Sequence, residues 1–196
     1  LHRAVRSIRF QEAPAAKAMA DTLWGRSLAS AAIMWRLAPL AGLDPDDAFL
    51  HGLLHDIGNV MVLREIARDA AFAGGGIDPN VFDYLCQELH AEYGELIADG
   101  WSLSPTIKTI ITDHHKPPLV TDPLARGRWL LQMTDLIAAV LGYAPAPHSS
   151  DAPDSPPRIH ILASASALTL NLATHPDIAA TLDNLPGAID DALTWM

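Results

Sequence analysis

An all-α fold is expected for this chain, on three observations. Apolar residues recur at helical spacing along most of its length, capping residues and prolines bracket several of those runs, and no segment alternates apolar with polar as a half-buried strand would. The elements follow in order. "AKAMADTLWGRSLASAAIMWRLAPLAG" (16–42) is rich in Ala and Leu and ends at Pro39 and Gly42. "LDPDDAFLHGLLHDIG" (43–58) opens on Asp44 as N-cap, with Pro45 at the first helical position and acids in the first turn. It is expected to close at Gly58 as a C-terminal glycine. A short helix over 59–72 precedes the break "GGGIDPN". "VFDYLCQELHAEYGELIADG" (81–100) reads as a helix, "PTIKTIITDHH" (105–115) as another starting after Ser104, and "LARGRWLLQMTDLIAAVLG" (124–142) as a long apolar one. The Pro- and Ser-rich "APAPHSSDAPDSPP" (144–157) is expected to be a mobile loop or linker. Beyond it, "RIHILASASALTLNLA" and "IDDALTWM" give two or three further helices. The expected organisation is one helical domain over 1–143, the linker, and a loosely attached helical extension, 158–196, packing on the same domain.

Composition narrows the function classes. Apolar residues make up 49% of 196, enough for a real core. The single cysteine, Cys86, excludes an internal disulfide framework, and a reducing cytoplasm is the simplest compartment. Neither a signal peptide nor a membrane span is visible. The chain begins at Leu1 rather than Met, as a processed or trimmed terminus or a piece of a longer protein would. Net charge is −10, with +4 on residues 1–36 and −14 on the rest. An acidic body argues against a surface for duplex nucleic acid. The basic N-terminal segment is either a solvated helix face or a dock for an acidic partner.

The groups able to carry chemistry are His51, His55, Asp56, His90, His114, His115 and Asp135, spread over at least four expected helices. Imidazoles and carboxylates suit borderline divalent metals such as Zn, Fe, Mn and Ni. Burying such groups unpaired costs about 2–7 kcal/mol, which either a metal or a hydrogen-bond network relieves. His55 and Asp56 can both reach one point just off a helix end, and a plain His–Asp hydrogen bond explains them as well as a ligand pair does. His51 shares a face with His55, and Gly52 stands where H-E-x-x-H needs Glu, so that motif is excluded. His90, taken alone, reads as an ordinary core or surface histidine. His114 and His115 precede Pro117 and Pro118 at a helix C-terminus, where the macrodipole favours cations. Asp135 sits in the apolar "WLLQMTDLIAAVL" and calls for a cationic partner.

The segments "HGLLHDIG", "LHAEYG", "ITDHHKPP" and "LLQMTDLIAAV", in this order, resemble the motifs of the HD superfamily of metal-dependent phosphohydrolases. Within it the chain is most similar to the HDOD domain, a regulatory relative of the HD-GYP cyclic-di-GMP phosphodiesterases. "LWGRSLASA" (23–31) resembles the HDOD helix ahead of the His-Asp pair, and "DGWSLSPTI" (99–107) its W-x-L-P segment. The resemblance spans about residues 20–142; the "DP…L…N-S" helices usual at the HDOD N-terminus are absent. It implies an HD-domain-like helical bundle. It also implies one metal on a first His, His55, Asp56 and Asp135, and a second on Asp56, His90, His114 and His115. At the first-His position stands Arg26, a side chain that stays protonated and offers no lone pair. Arg26 could pair bidentately with Asp135, excluding the first metal and with it two-metal catalysis. Asn59 replaces the Lys of "HDIGK", and "KPPL" replaces "GYP".

The expectation is therefore a signal-transduction domain of the bacterial regulator type, a degenerate phosphohydrolase without activity. It would keep one divalent transition metal (Fe, Mn, Zn or Ni) per chain and bind a signalling protein or a small phosphorylated or nucleotide ligand, with oligomerisation open. The alternative is a one-metal phosphohydrolase, with His55 or Asp56 as general base and Arg26 or Lys116 on the substrate phosphate. Asn59 is a further ligand-binding candidate. In a third reading the domain is structural and its histidines only form hydrogen bonds.

Overall fold

The computed structural model describes residues 14–73, 76–119, 121–143 and 161–194. Among them the elements are α1 (Pro14–Leu37), α2 (Pro45–Leu54), α3 (Gly58–Ala73), α4 (Pro79–Gly100), α5 (Pro105–Asp113), α6 (Ala125–Val140), α7 (Ala165–Thr169), a 3-10 turn (Leu172–Thr174) and α8 (Ile178–Leu193). No strand occurs among the described residues, as the absence of alternation predicts. None of their helices is long and apolar enough to cross a membrane. The linker 144–157, the bases Arg3, Arg6 and Arg9, and the last two residues of "IDDALTWM" lie outside the described residues.

The starts of α2, α4 and α5 are fixed by side chains that accept the free N–H groups of the first turn. Asp44 Oδ1 accepts from the N–H of Asp46 at 2.9 Å and of Asp47 at 3.1 Å, with Pro45 at the first position of α2. Asp78 and Pro79 repeat the device at α4, which begins two residues earlier than its apolar pattern indicates. Ser104 and Pro105 repeat it at α5.

Two expectations are corrected. Gly58 does not close α2. That helix stops at Leu54, residues 55–57 turn, and Gly58 opens α3. The glycine is there for proximity: a Cβ on it would lie 1.8 Å from the His90 carbonyl oxygen and 2.7 Å from the Gly94 nitrogen of α4. Gly52 plays the same part between α2 and α1, where a Cβ would meet Ser30 O at 2.6 Å. The last helix begins at Ile178, not Ile189, and runs through Pro186. Pro186 costs that helix a hydrogen bond, and burial of Ile178, Leu185, Ile189 and Ala192 along one side holds it together.

The helix α1 packs on α2, α3, α6 and α8. Its Ile33, Met34 and Leu37 share one core with Leu130, Leu131, Met133 and Ile137 of α6 and with Leu185 and Ile189 of α8. A second cluster joins Leu28 and Ala31 of α1, Leu53 and Leu54 of α2, Ile57, Ala98 and Ile111. This second cluster includes Ile57, in the turn at 55–57.

Candidate metal centre

That turn is where the chemistry gathers. His55 and Asp56 leave the end of α2, His90 comes from α4, and His114 and His115 follow the end of α5. Asp56, His90, His114 and His115 each bring one ligand atom into a group whose members lie within 4.8 Å of one another. The first three are buried and His115 stands at the rim. His90 Nε2 is 3.3 Å from His114 Nε2 and 3.1 Å from His115 Nε2. Asp56 Oδ1 is 3.4 Å from His114 Nε2 and 3.9 Å from His90 Nε2.

Proton placement makes this arrangement informative. His90 Nδ1 donates to the Cys86 carbonyl at 2.6 Å, and His114 Nδ1 to the Ile110 and Ile111 carbonyls at 3.2 and 3.0 Å. A carbonyl only accepts, so in each neutral ring the proton is on Nδ1 and the lone pair is on Nε2. Two lone pairs then face each other across 3.3 Å, which is repulsive unless a cation lies between them. Burial also favours neutral rings: it lowers His90, and burial together with His114 lowers His115 to about 4. Backbone carbonyls holding the far nitrogens are the usual outer support of metal-bound histidine. Three imidazoles and one carboxylate fit a borderline divalent ion, and the residues present suit such a group.

The opposite side of Asp56 is different. Its Oδ2 is 3.2 Å from an Arg26 guanidinium nitrogen and 3.6 Å from His55 Nε2. Burial would raise the Asp56 carboxyl, but His55, His114 and Arg26 hold it well below the ordinary carboxylate range. For His55, burial works downward and is outweighed by the Asp56 and Asp135 carboxylates, leaving the ring at about 9. His55 Nδ1 donates to Gly52 O at 2.9 Å. His55 Nε2, 3.4 Å from Asp135 Oδ1, is buried with no well-formed hydrogen bond.

The expected Arg26–Asp135 pair is thus corrected. Arg26 meets Asp56, Asp135 meets His55, and Asp135 is about a third exposed, because the turn of α6 that carries it lies at the edge of the apolar face. His51 stays out of the group; its Nδ1 lies 3.8 Å from the place a Cβ would take on Gly127 of α6. Asn59 is buried with its Oδ1 unpaired, and with Arg26 and Cys86 it lines an adjoining cavity of about 360 Å³. Lys116 is exposed and bonded to Asp113. Two side chains that the sequence reading passes over, Arg128 and Gln132, reach the double-histidine corner from α6.

A family model, that of the HDOD domain, matches residues 4–117. No curated protein matches the chain with significance. Among solved structures, the chain is similar to an HDOD domain protein with unknown function from Geobacter sulfurreducens. The TM-score is 0.61 at 21% identity, over 89% of this chain and 61% of that one. It is also similar to a protein from Shewanella amazonensis SB2B described as "Putative phosphohydrolase". Here the TM-score is 0.56 at 22% identity, over 97% of this chain and 68% of that one. The chain therefore spans less than two thirds of the Geobacter protein's length.

Proposed function

The chain belongs to the HDOD domain family, and from that premise we propose that it is a signal-transduction domain without phosphohydrolase activity, holding one divalent transition metal. The ligands in this proposal are Asp56, His90, His114 and His115. When bound, the metal supplies a Lewis-acidic positive charge that lowers the pKa of coordinated water toward 7. The observation that carries the loss of activity is Arg26, 3.2 Å from Asp56 Oδ2.

Two-metal phosphoester hydrolysis places its cations about 3.5–4 Å apart, one on the attacking oxygen and one on the leaving oxygen. Arg26 occupies the side of Asp56 that a second ion would need. It neutralises the carboxylate but brings no coordinated water and takes no ligand. Asp56 is also a poor general base, since its carboxyl is held far below the pH at which it would accept a proton. His55, at about 9, is already protonated near neutrality. The cavity beside Arg26 and Asn59 is then a place for a small phosphorylated or nucleotide ligand that is bound and not turned over.

Metal analysis of purified protein, combined with Arg26→His, tests this. Wild type is expected to hold about one transition metal per chain and Arg26→His about two, since the change returns a ligand to the first set. An unchanged metal count in Arg26→His refutes the lost-ligand account. Wild-type turnover of phosphate mono- or diesters with Mn²⁺, abolished by His90→Ala, would establish the one-metal phosphohydrolase instead. No metal after growth with iron, manganese and zinc would favour the hydrogen-bonded structural domain.

A further inference from the structure

We infer that Arg128, assisted by Gln132, is the positioning residue for the His114–His115 corner: a helix that gives this group no ligand sets the aim of two of its members. The inference rests on the metal reading above. A helix leaves its last four carbonyls without partners in its own ladder, and α5 ends immediately before the two histidines. Arg128 lies on α6 and is only 6% exposed. One of its guanidinium nitrogens donates to the Asp113 carbonyl at 2.7 Å and to the Lys116 carbonyl at 2.8 Å. The second terminal nitrogen donates to the Asp122 carboxylate. One turn along α6, Gln132 Nε2 donates to the His114 carbonyl at 3.1 Å and to that of Lys116 at 3.4 Å.

The backbone is therefore gripped on both sides of His114–His115 and between them. The rings have few constraints of their own. Outside the group itself, His114 Nδ1 is held by carbonyls one turn back on α5, while the Nε2 atoms face the other members, His90 and, for His114, Asp56. Where the two Nε2 atoms point depends on how the chain leaves the helix, and that is what Arg128 and Gln132 fix. A planar fork with five N–H donors can hold two carbonyls and a carboxylate at once; the ammonium of lysine, at the end of a flexible stem, cannot hold that geometry. Arg128, Gln132 and Asp135 also fall at i, i+4 and i+7 on α6, so one stripe of this helix serves both the corner and, through Asp135, His55.

The test is Co(II) titration of the full chain, wild type against Arg128→Lys and Gln132→Ala, read by the visible d–d spectrum and paired with imidazole NMR signals of the metal-free proteins. Outer-shell support of this kind is worth about 10–100-fold in metal affinity. Arg128→Lys is expected to weaken Co(II) by that much and to change the band shape, with His114 and His115 signals shifted before any metal is added. Gln132→Ala is expected to go the same way by about tenfold, and it decides the matter if Arg128→Lys does not fold. Ile137→Val, fully buried on the same helix, should lower Tm and leave Co(II) affinity unchanged. Wild-type affinity and unshifted ring signals in folded Arg128→Lys and Gln132→Ala would overturn the inference while leaving the metal reading intact. A wild type that takes up no Co(II) sinks the metal reading; the ring signals alone then judge the positioning role, supporting it if displaced and ending it if not.

Discussion

Gly58→Ala should be among the most damaging single-methyl changes in the chain. The added Cβ would lie 1.8 Å from the His90 carbonyl oxygen and 2.7 Å from the Gly94 nitrogen. Both are backbone atoms, so no side chain can swing aside, and α3 must move off α4 by more than an ångström to reach ordinary contact. Overpacking typically costs 1–3 kcal/mol, and an obstacle made of backbone belongs at the upper end, about 3 kcal/mol. At roughly 2–4 °C per kcal/mol for a domain of this size, Tm should fall by about 6–12 °C. Gly187→Ala is the matched control. Its Cβ meets nothing within 4 Å, and it lies inside α8, so the better helix propensity of alanine should raise stability by about 0.5–1 kcal/mol. Thermal melts of the two variants by circular dichroism, beside wild type, give both numbers. A Gly58→Ala melt within about 2 °C of wild type, less than one kcal/mol, or a fall of the same size in Gly187→Ala, refutes the steric account of Gly58.

Two further outcomes are expected. In chelated, metal-free protein, His55 at about 9 against an ordinary 6.5 contributes stability that is fully present below pH 6.5 and disappears as pH rises through 9. By linkage this amounts to about 3 kcal/mol. His115, lowered to about 4, acts in the opposite sense: its contribution is present above 6.5 and is lost as pH falls through 4. Urea midpoints should therefore peak near pH 6.5, and a midpoint that does not drop by about pH 9.5 contradicts the His55 assignment. Asp44→Ala removes the acceptor for two N–H groups at the start of α2 and should cost about 1 kcal/mol; an unchanged Tm would mean that the cap does not hold that helix.

Much of the site could be read from the sequence because its members announce themselves. His55–Asp56 and His114–His115 are polar groups at apolar helix ends, and Asp44 and Ser104 mark where two of the site's helices begin; His90, inside α4, stands out only beside the others. What stayed hidden depends on direction and distance between helices. The family resemblance places Arg26 near the carboxylates but does not say which one it faces, and the structure gives it Asp56 instead of Asp135. Gly58 reads as a helix end because glycine is common there, whereas the requirement comes from α4, some thirty residues away in sequence. Pro186 hid the first half of α8, since burial of apolar side chains overrides a local helix breaker. Arg128 and Gln132 left a usable signal. Each is a polar residue inside an apolar helix, as conspicuous as Asp135, and at i and i+4 they share its stripe.

Asp56 divides its two oxygens between unlike neighbours, Oδ1 toward the histidines and Oδ2 toward Arg26. The Arg26 cation beside this carboxylate is thus part of the polypeptide. It cannot be starved, chelated or exchanged, whereas an ion on the histidine side can come and go. Two exchangeable ions would allow a cleft three occupancies; the single ion proposed for this one would allow two. In the proposed one-metal site, the charge that varies with metal supply is confined to the side of Asp56, His90, His114 and His115, while Arg26 keeps the Oδ2 side positive whatever the supply.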